Sequence, residues 1–148
     1  MQFDWLDFIS LTIALVLGSA IGIERELRGK AAGVRTNILI CLGSCIFTII
    51  STTLANAEPG RIAAQVVSGI GFLGAGAIIH SGIGVHGLTT AAGIWIVASI
   101  GMACGARMYL LAGFSTILSL IVLVFLPFLE KVISKRLTSS VPDEQNKH

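Results

Sequence analysis

Residues 61–80 read RIAAQVVSGIGFLGAGAIIH. About 20 residues is the length at which an α-helix crosses the hydrocarbon core of a bilayer. The stretch holds Gly69, Gly71, Gly74 and Gly76, and no acid, lysine or arginine follows Arg61 within it. A helix so rich in glycine would be weak in water. In a membrane, small residues let neighbouring helices approach closely. At 100° per residue, Ala64, Ser68, Gly71 and Ala75 form one stripe. Arg61, Gln65, Gly69 and Gly76 form a second stripe beside it, with Val66, Ile70 and Leu73 roughly opposite. The pattern predicts the buried central helix of a small membrane bundle, with Ser68, Gly69, Gly71, Gly74 and Gly76 as packing positions. Gly69-Ile-Gly71-Phe-Leu-Gly74 also spells G-x-G-x-x-G. A dinucleotide site needs a preceding strand and an acid about 20 residues on. The next acid is Glu130, so that reading fails.

The composition agrees with a membrane protein. The 148 residues are 54% hydrophobic and 12% charged, and the mean hydropathy is +0.88. Soluble domains carry roughly 25% charged residues. No basic region precedes the first apolar run, so no cleaved signal peptide is expected. Nothing in the sequence marks a soluble second domain or a nucleic-acid-binding face. The expected architecture is all-α: one transmembrane domain over residues 1–134, with a short polar tail over 135–148.

Five apolar segments can be drawn, at about 6–28, 34–55, 61–80, 88–106 and 109–129. Gly18 and Gly22 make a G-x-x-x-G pair on the first, a close-packing signal, and Gly29 is a plausible stop. On the second, Asn37, Cys41, Ser44, Thr48 and Ser51 share a polar inner face, and Leu39, Leu42, Ile46 and Ile50 share a lipid face. The third and fourth segments and their connection hold ten of the seventeen glycines and are expected to form the tight inner part. The fifth, rich in Leu, Ile, Val and Phe, reads as an outer helix ending near Pro127. Cys41, Cys45 and Cys104 read as small packing residues. With His80 and His86 they show no metal-ligand spacing, so neither metal nor cofactor is expected.

Lysine and arginine set the orientation. Arg25, Arg28, Lys30 and Arg35 lie in the first loop, and Lys131, Lys135, Arg136 and Lys147 in the tail. Only Arg61 and Arg107 fall on the other side. Five spans with the N-terminus outside place the eight in the cytoplasm. Glu24 and Arg25 sit at membrane depth, where ionisable groups are functional candidates. Arg35, Thr36 and Asn37 open the second helix at the same depth. Glu24 is therefore expected to pair with Arg35 and to bond Thr36 or Asn37. Arg61 and Gln65 share a face at the opposite end, where Gln65 is expected to bond across helices. Thr89 and Thr90 are placed to cap the fourth helix. One small-residue face is expected to pack within the protomer and another to form a homodimer.

Three blocks together resemble the MgtC/SapB family of bacterial inner-membrane proteins. They are Gly22-Ile-Glu24-Arg25-Glu26 with Gly33-Val-Arg35-Thr36-Asn37; then Arg61 to Gly76; then Gly87-Leu-Thr89-Thr90-Ala91-Ala92 with Trp95. The resemblance implies a multi-pass protein of the cytoplasmic membrane, linked to magnesium limitation and, in some pathogens, to survival inside macrophages. It implies a regulator of membrane energetics, with the ATP synthase or a transporter as partner in the bilayer. Thr89 and Ile96 stand where virulence-type members tend to have Asn and Cys. A short, SapB-like member without the C-terminal soluble domain is expected. A small ion or solute transporter is the alternative. An enzyme is not expected, because no nucleophile has a positioned base.

Overall fold

The computed structural model describes residues 4–53, 59–81 and 84–138. Five helices follow in order: α1 (Trp5–Leu27), α2 (Val34–Thr53), α3 (Pro59–Gly76), α4 (Leu88–Gly105) and α5 (Tyr109–Thr138). A short antiparallel hairpin, β1 (Ile79–Ser81) and β2 (Gly84–His86), joins α3 to α4 with Ile79 opposite His86. α1, α2, α4 and the Tyr109–Glu130 part of α5 are each long and apolar enough to cross a membrane. The protein is an all-α membrane bundle. The ends are called here the Arg25 end and the Asp7 end.

The helix stops are local chemistry. After α1, Gly29 takes φ 63°, Lys30 N–H donates to the Arg25 carbonyl at 3.0 Å, and Gly29 N–H donates to Glu26 at 2.9 Å. This is the paired-bond stop that favours glycine in the left-handed region. α4 ends with the same pair of bonds, Met108 to Ala103 at 2.8 Å and Arg107 to Cys104 at 3.0 Å. There the left-handed residue is Arg107, at φ 62°.

The bundle is built around α2, which packs against α1, α3 and α4. On one flank stand Gly18 and Gly22 of α1. A β-carbon on Gly18 would lie 2.9 Å from Cys41 Cβ, and one on Gly22 2.7 Å from Val34 Cα. On another flank stand Gly101 and Gly105 of α4. A β-carbon on Gly101 would overlap the Cys41 carbonyl, and one on Gly105 would lie 2.7 Å from Thr48 Cβ. Two G-x-x-x-G pairs thus hold the same helix. The polar face of α2 is buried as expected, and Leu39, Ile46 and Ile50 are exposed. The three cysteines lie free and buried in this core. α5 is the outer helix, with Leu110, Phe114 and Ile117 among its exposed side chains.

Three expectations fail. α3 is not central: it packs on α2 and α4 through one edge, with Ile70 and Gly74 buried. Ala64, Ser68, Gly69, Gly71, Ala75 and Gly76 are exposed. α1 and α4 already occupy the close-approach seats beside α2, and the side of α3 bearing Ile70 turns inward. α3 also stops at Gly76 rather than at residue 80. The chain turns there into the hairpin, and Gly87 (φ 93°) comes so close to the Ala77 carbonyl that a β-carbon would overlap it. Third, α5 runs on past Pro127, which only leaves the Leu123 carbonyl without its i+4 donor.

Gly22→Ala and Gly105→Ala are each expected to destabilise the protein by about 1–3 kcal/mol, the usual cost of overpacking. Gly69→Ala, exposed and with nothing within 4 Å of the added carbon, is expected to leave stability unchanged or slightly raised. Reversible unfolding in mixed micelles measures all three.

Candidate functional site

At the Arg25 end the last turn of α1 makes an ion cluster. Arg25 donates to Glu24 from Nε at 2.5 Å and from Nη2 at 2.9 Å. Arg28 Nε lies 2.6 Å from Glu24 Oε1, the oxygen that also accepts from Arg25 Nη2. The side chains of Arg25 and Glu24 are only 4% and 11% exposed, so this is a buried pair with a second cation on its rim. Arg28 also donates to the Val124 carbonyl of α5 at 3.3 Å.

The neighbouring turn is fastened by two side chains. Val34 N–H, at the start of α2, donates to Glu26 Oε2 at 2.8 Å. A carboxylate at a helix N-terminus satisfies free amides and opposes the helix dipole. Gly33 sits against that carboxylate with no room for a β-carbon. Asn37, 1% exposed, donates from Nδ2 to the carbonyls of Ala32 and Gly33, each at 2.8 Å.

The expected Glu24–Arg35 pair does not form. Arg35 and Thr36 are exposed on the outer side of α2, whereas Glu24 is held by guanidinia on its own helix. One turn of separation suits the Arg28 contact, and Arg35 leads away from the α1 seam. Asn37 bonds the turn carbonyls rather than another helix. Thr89 and Thr90 do not cap α4 either: Gly87 is the N-cap, with no side-chain bond, so the threonines fall inside the first turn. Thr90 is buried and Thr89 exposed. Arg61 and Gln65 are both exposed and stay apart from the Arg25 cluster. Among the described residues Gln65 forms no bond across helices; it lines an apolar groove of about 540 Å³ between α2 and α3, with Leu39, Phe47 and Leu73.

Sequence reading missed the cluster at the Asp7 end. Asp7 is 7% exposed, one turn into α1. Arg107 Nη2 donates to Asp7 Oδ1 at 3.1 Å and to Asp4 Oδ2 at 3.4 Å. The bond to Asp7 raises the already high pKa of the guanidinium. Beside it, the Ser10 and Tyr109 hydroxyls lie 2.9 Å apart in a hydrogen bond. Tyr109 therefore ties α5 to α1. A signal was present: a five-span count puts Asp7 and Arg107 at one depth. Among the described residues, no group of His, Cys, Asp or Glu could hold a metal ion.

Residues 11–132 match the model of the MgtC family. The chain belongs to the MgtC family. It is similar to Protein MgtC of Salmonella typhimurium, 48% identical over 112 residues, covering 76% of this chain and 48% of that one. It is similar also to the protein of Escherichia coli K12 named putative magnesium transporter YhiD, 45% identical over 124 residues, covering 78% of this chain and 58% of that one. The chain thus spans about half the length of the curated relatives it matches. No solved structure matches it.

The cluster has an asymmetric energetic signature. Glu24→Ala leaves the buried Arg25 charge uncompensated and is expected to cost about 3–5 kcal/mol. Arg35→Ala, exposed and with no ion-pair partner among the described residues, is expected to cost under about 0.5 kcal/mol. Unfolding midpoints and steady-state membrane levels of the two variants check this.

Proposed function

We propose that this chain is a regulator in the bacterial cytoplasmic membrane, acting when magnesium is limiting by docking a transmembrane helix of a partner protein. The observation that carries the reading is the exposed face of α3, made of Ala64, Ser68, Gly71 and Ala75. A helix face that meets only lipid suits large apolar side chains, as on α5, where Leu110, Phe114 and Phe125 are exposed. A face of Gly, Ala and Ser suits close contact with another helix. The family resemblance makes the ATP synthase or a transporter the partner to test first.

The eight basic residues at the Arg25 end and in the tail favour that end as cytoplasmic. Direct magnesium passage is the weaker reading. Magnesium is held by oxygen ligands, usually one or two carboxylates with water, and no Asp or Glu occurs between Glu58 and Glu130.

Gly71→Leu and Ser68→Leu are expected to abolish growth support in low magnesium with protein level unchanged, while Phe114→Ala on α5 has no effect. Full growth support with a leucine-filled α3 face would overturn the reading. Magnesium uptake by proteoliposomes above empty controls would establish transport in its place.

A further inference from the structure

A second cavity, with no residue of α3 in its lining, lies at the Arg25 end. It is a polar cup of about 540 Å³ between the end of α1, the start of α4 and the Pro127 turn of α5. Arg25, Arg28 and Lys30 line it on one side, and Glu130 on another. With Glu24 bound to both arginines, three cations face two carboxylates. Lys30 has no ion-pair partner among the described residues. The first turn of α4 reaches the cup at Thr89, and no side chain caps that helix. Its free amides add a favourable field for an anion.

Beside the cup lies a smaller slot of about 330 Å³ between α4 and α5. The two cavities share Thr89, Val122 and Leu123 in their linings, so they adjoin and together form a groove. The slot is lined mainly by apolar groups, among them Ala92, Ile96 and Leu118. The Ser119 hydroxyl on its wall donates to the Ser115 carbonyl at 2.6 Å within α5. A cationic cup at the helix ends beside an apolar slot at membrane depth matches an anionic phospholipid. Such a lipid would set its phosphate against Lys30 and Arg28 and one acyl chain between α4 and α5.

We propose that this groove binds a single anionic phospholipid in the leaflet at the Arg25 end. A free phosphate would need only the cup, whereas a lipid uses both parts. Basic pockets between transmembrane helices are a general means of holding anionic headgroups. The site does not depend on α3 or on any partner docked there.

Native mass spectrometry of the full chain, released from nanodiscs holding equal phosphatidylglycerol and phosphatidylethanolamine, tests this. The wild type is expected to retain one phosphatidylglycerol in preference to phosphatidylethanolamine. Lys30→Ala is expected to weaken retention about fivefold, and Lys30→Arg to keep it. Ala92→Phe, which fills the slot and leaves the cup intact, is expected to weaken it too, with an unchanged unfolding midpoint. Millimolar inorganic phosphate is expected not to displace the lipid. Equal retention of both lipids, or indifference to both Lys30→Ala and Ala92→Phe, would overturn the proposal. Displacement by phosphate with Ala92→Phe silent would show a simple anion site instead.

Discussion

The fold depends on how closely two helices can approach α2. Gly18 and Gly22 of α1 admit the backbone of α2 on one flank, and Gly101 and Gly105 of α4 admit it on another. In lipid, where burying apolar groups between helices gains little, close van der Waals contact is a main source of association. Each glycine has its neighbour where a β-carbon would stand, so both approaches reach their limit. That contact buries Asn37, Cys41, Ser44, Thr48 and Ser51. It also decides where α3 goes. With the close seats beside α2 filled, α3 leans on an edge and keeps Ala64, Ser68, Gly69, Gly71 and Ala75 outward.

The polar ends lock what the glycines bring together. At the Arg25 end, Glu26 satisfies the first amide of α2 and Asn37 holds the turn carbonyls, so the α1–α2 connection is fixed in one geometry. Glu24 neutralises the Arg25 charge within the same turn, and Arg28 reaches across to α5. At the Asp7 end, Arg107 joins the α4–α5 corner to the start of α1, and Tyr109 and Ser10 close the adjoining gap. Arg107 occupies a left-handed position that glycine would fill with less strain. From there its long cationic side chain reaches both Asp4 and Asp7, which glycine could not. Two of the four long spans, α1 and α5, are therefore pinned to each other at both ends.

Much of this was legible in the sequence, for physical reasons that differ by element. The polar stripe of α2 and the Leu- and Phe-rich surface of α5 were readable because a helix in lipid sorts its faces by polarity. Gly29 was readable as a stop because its backbone conformation is local. The place of α3 was not readable. Glycine density reports that a close approach is possible, but not whether the partner is in the same chain. The tight glycines proved to be Gly18, Gly22, Gly101 and Gly105, whereas Gly69, Gly71 and Gly76 have nothing within 4 Å of an added carbon. The Glu24–Arg35 pairing failed because equal depth does not fix rotation about a helix, and a partner one turn away on the same helix was nearer. The Asp4–Asp7–Arg107 cluster depends on a contact across about a hundred residues, which only the full helix count could suggest.

The central claim is that α2, not the glycine-rich α3, is the axis of the bundle. Oxygen accessibility of single spin labels, scanned along both helices in nanodiscs of pure lipid, tests it most directly. The account predicts low accessibility and immobile labels at positions 37, 41, 44 and 48 of α2. It predicts accessibility like that of α5 at positions 64, 68, 71 and 75 of α3. The reverse pattern, with those α3 positions shielded and the polar face of α2 open to lipid, would contradict it.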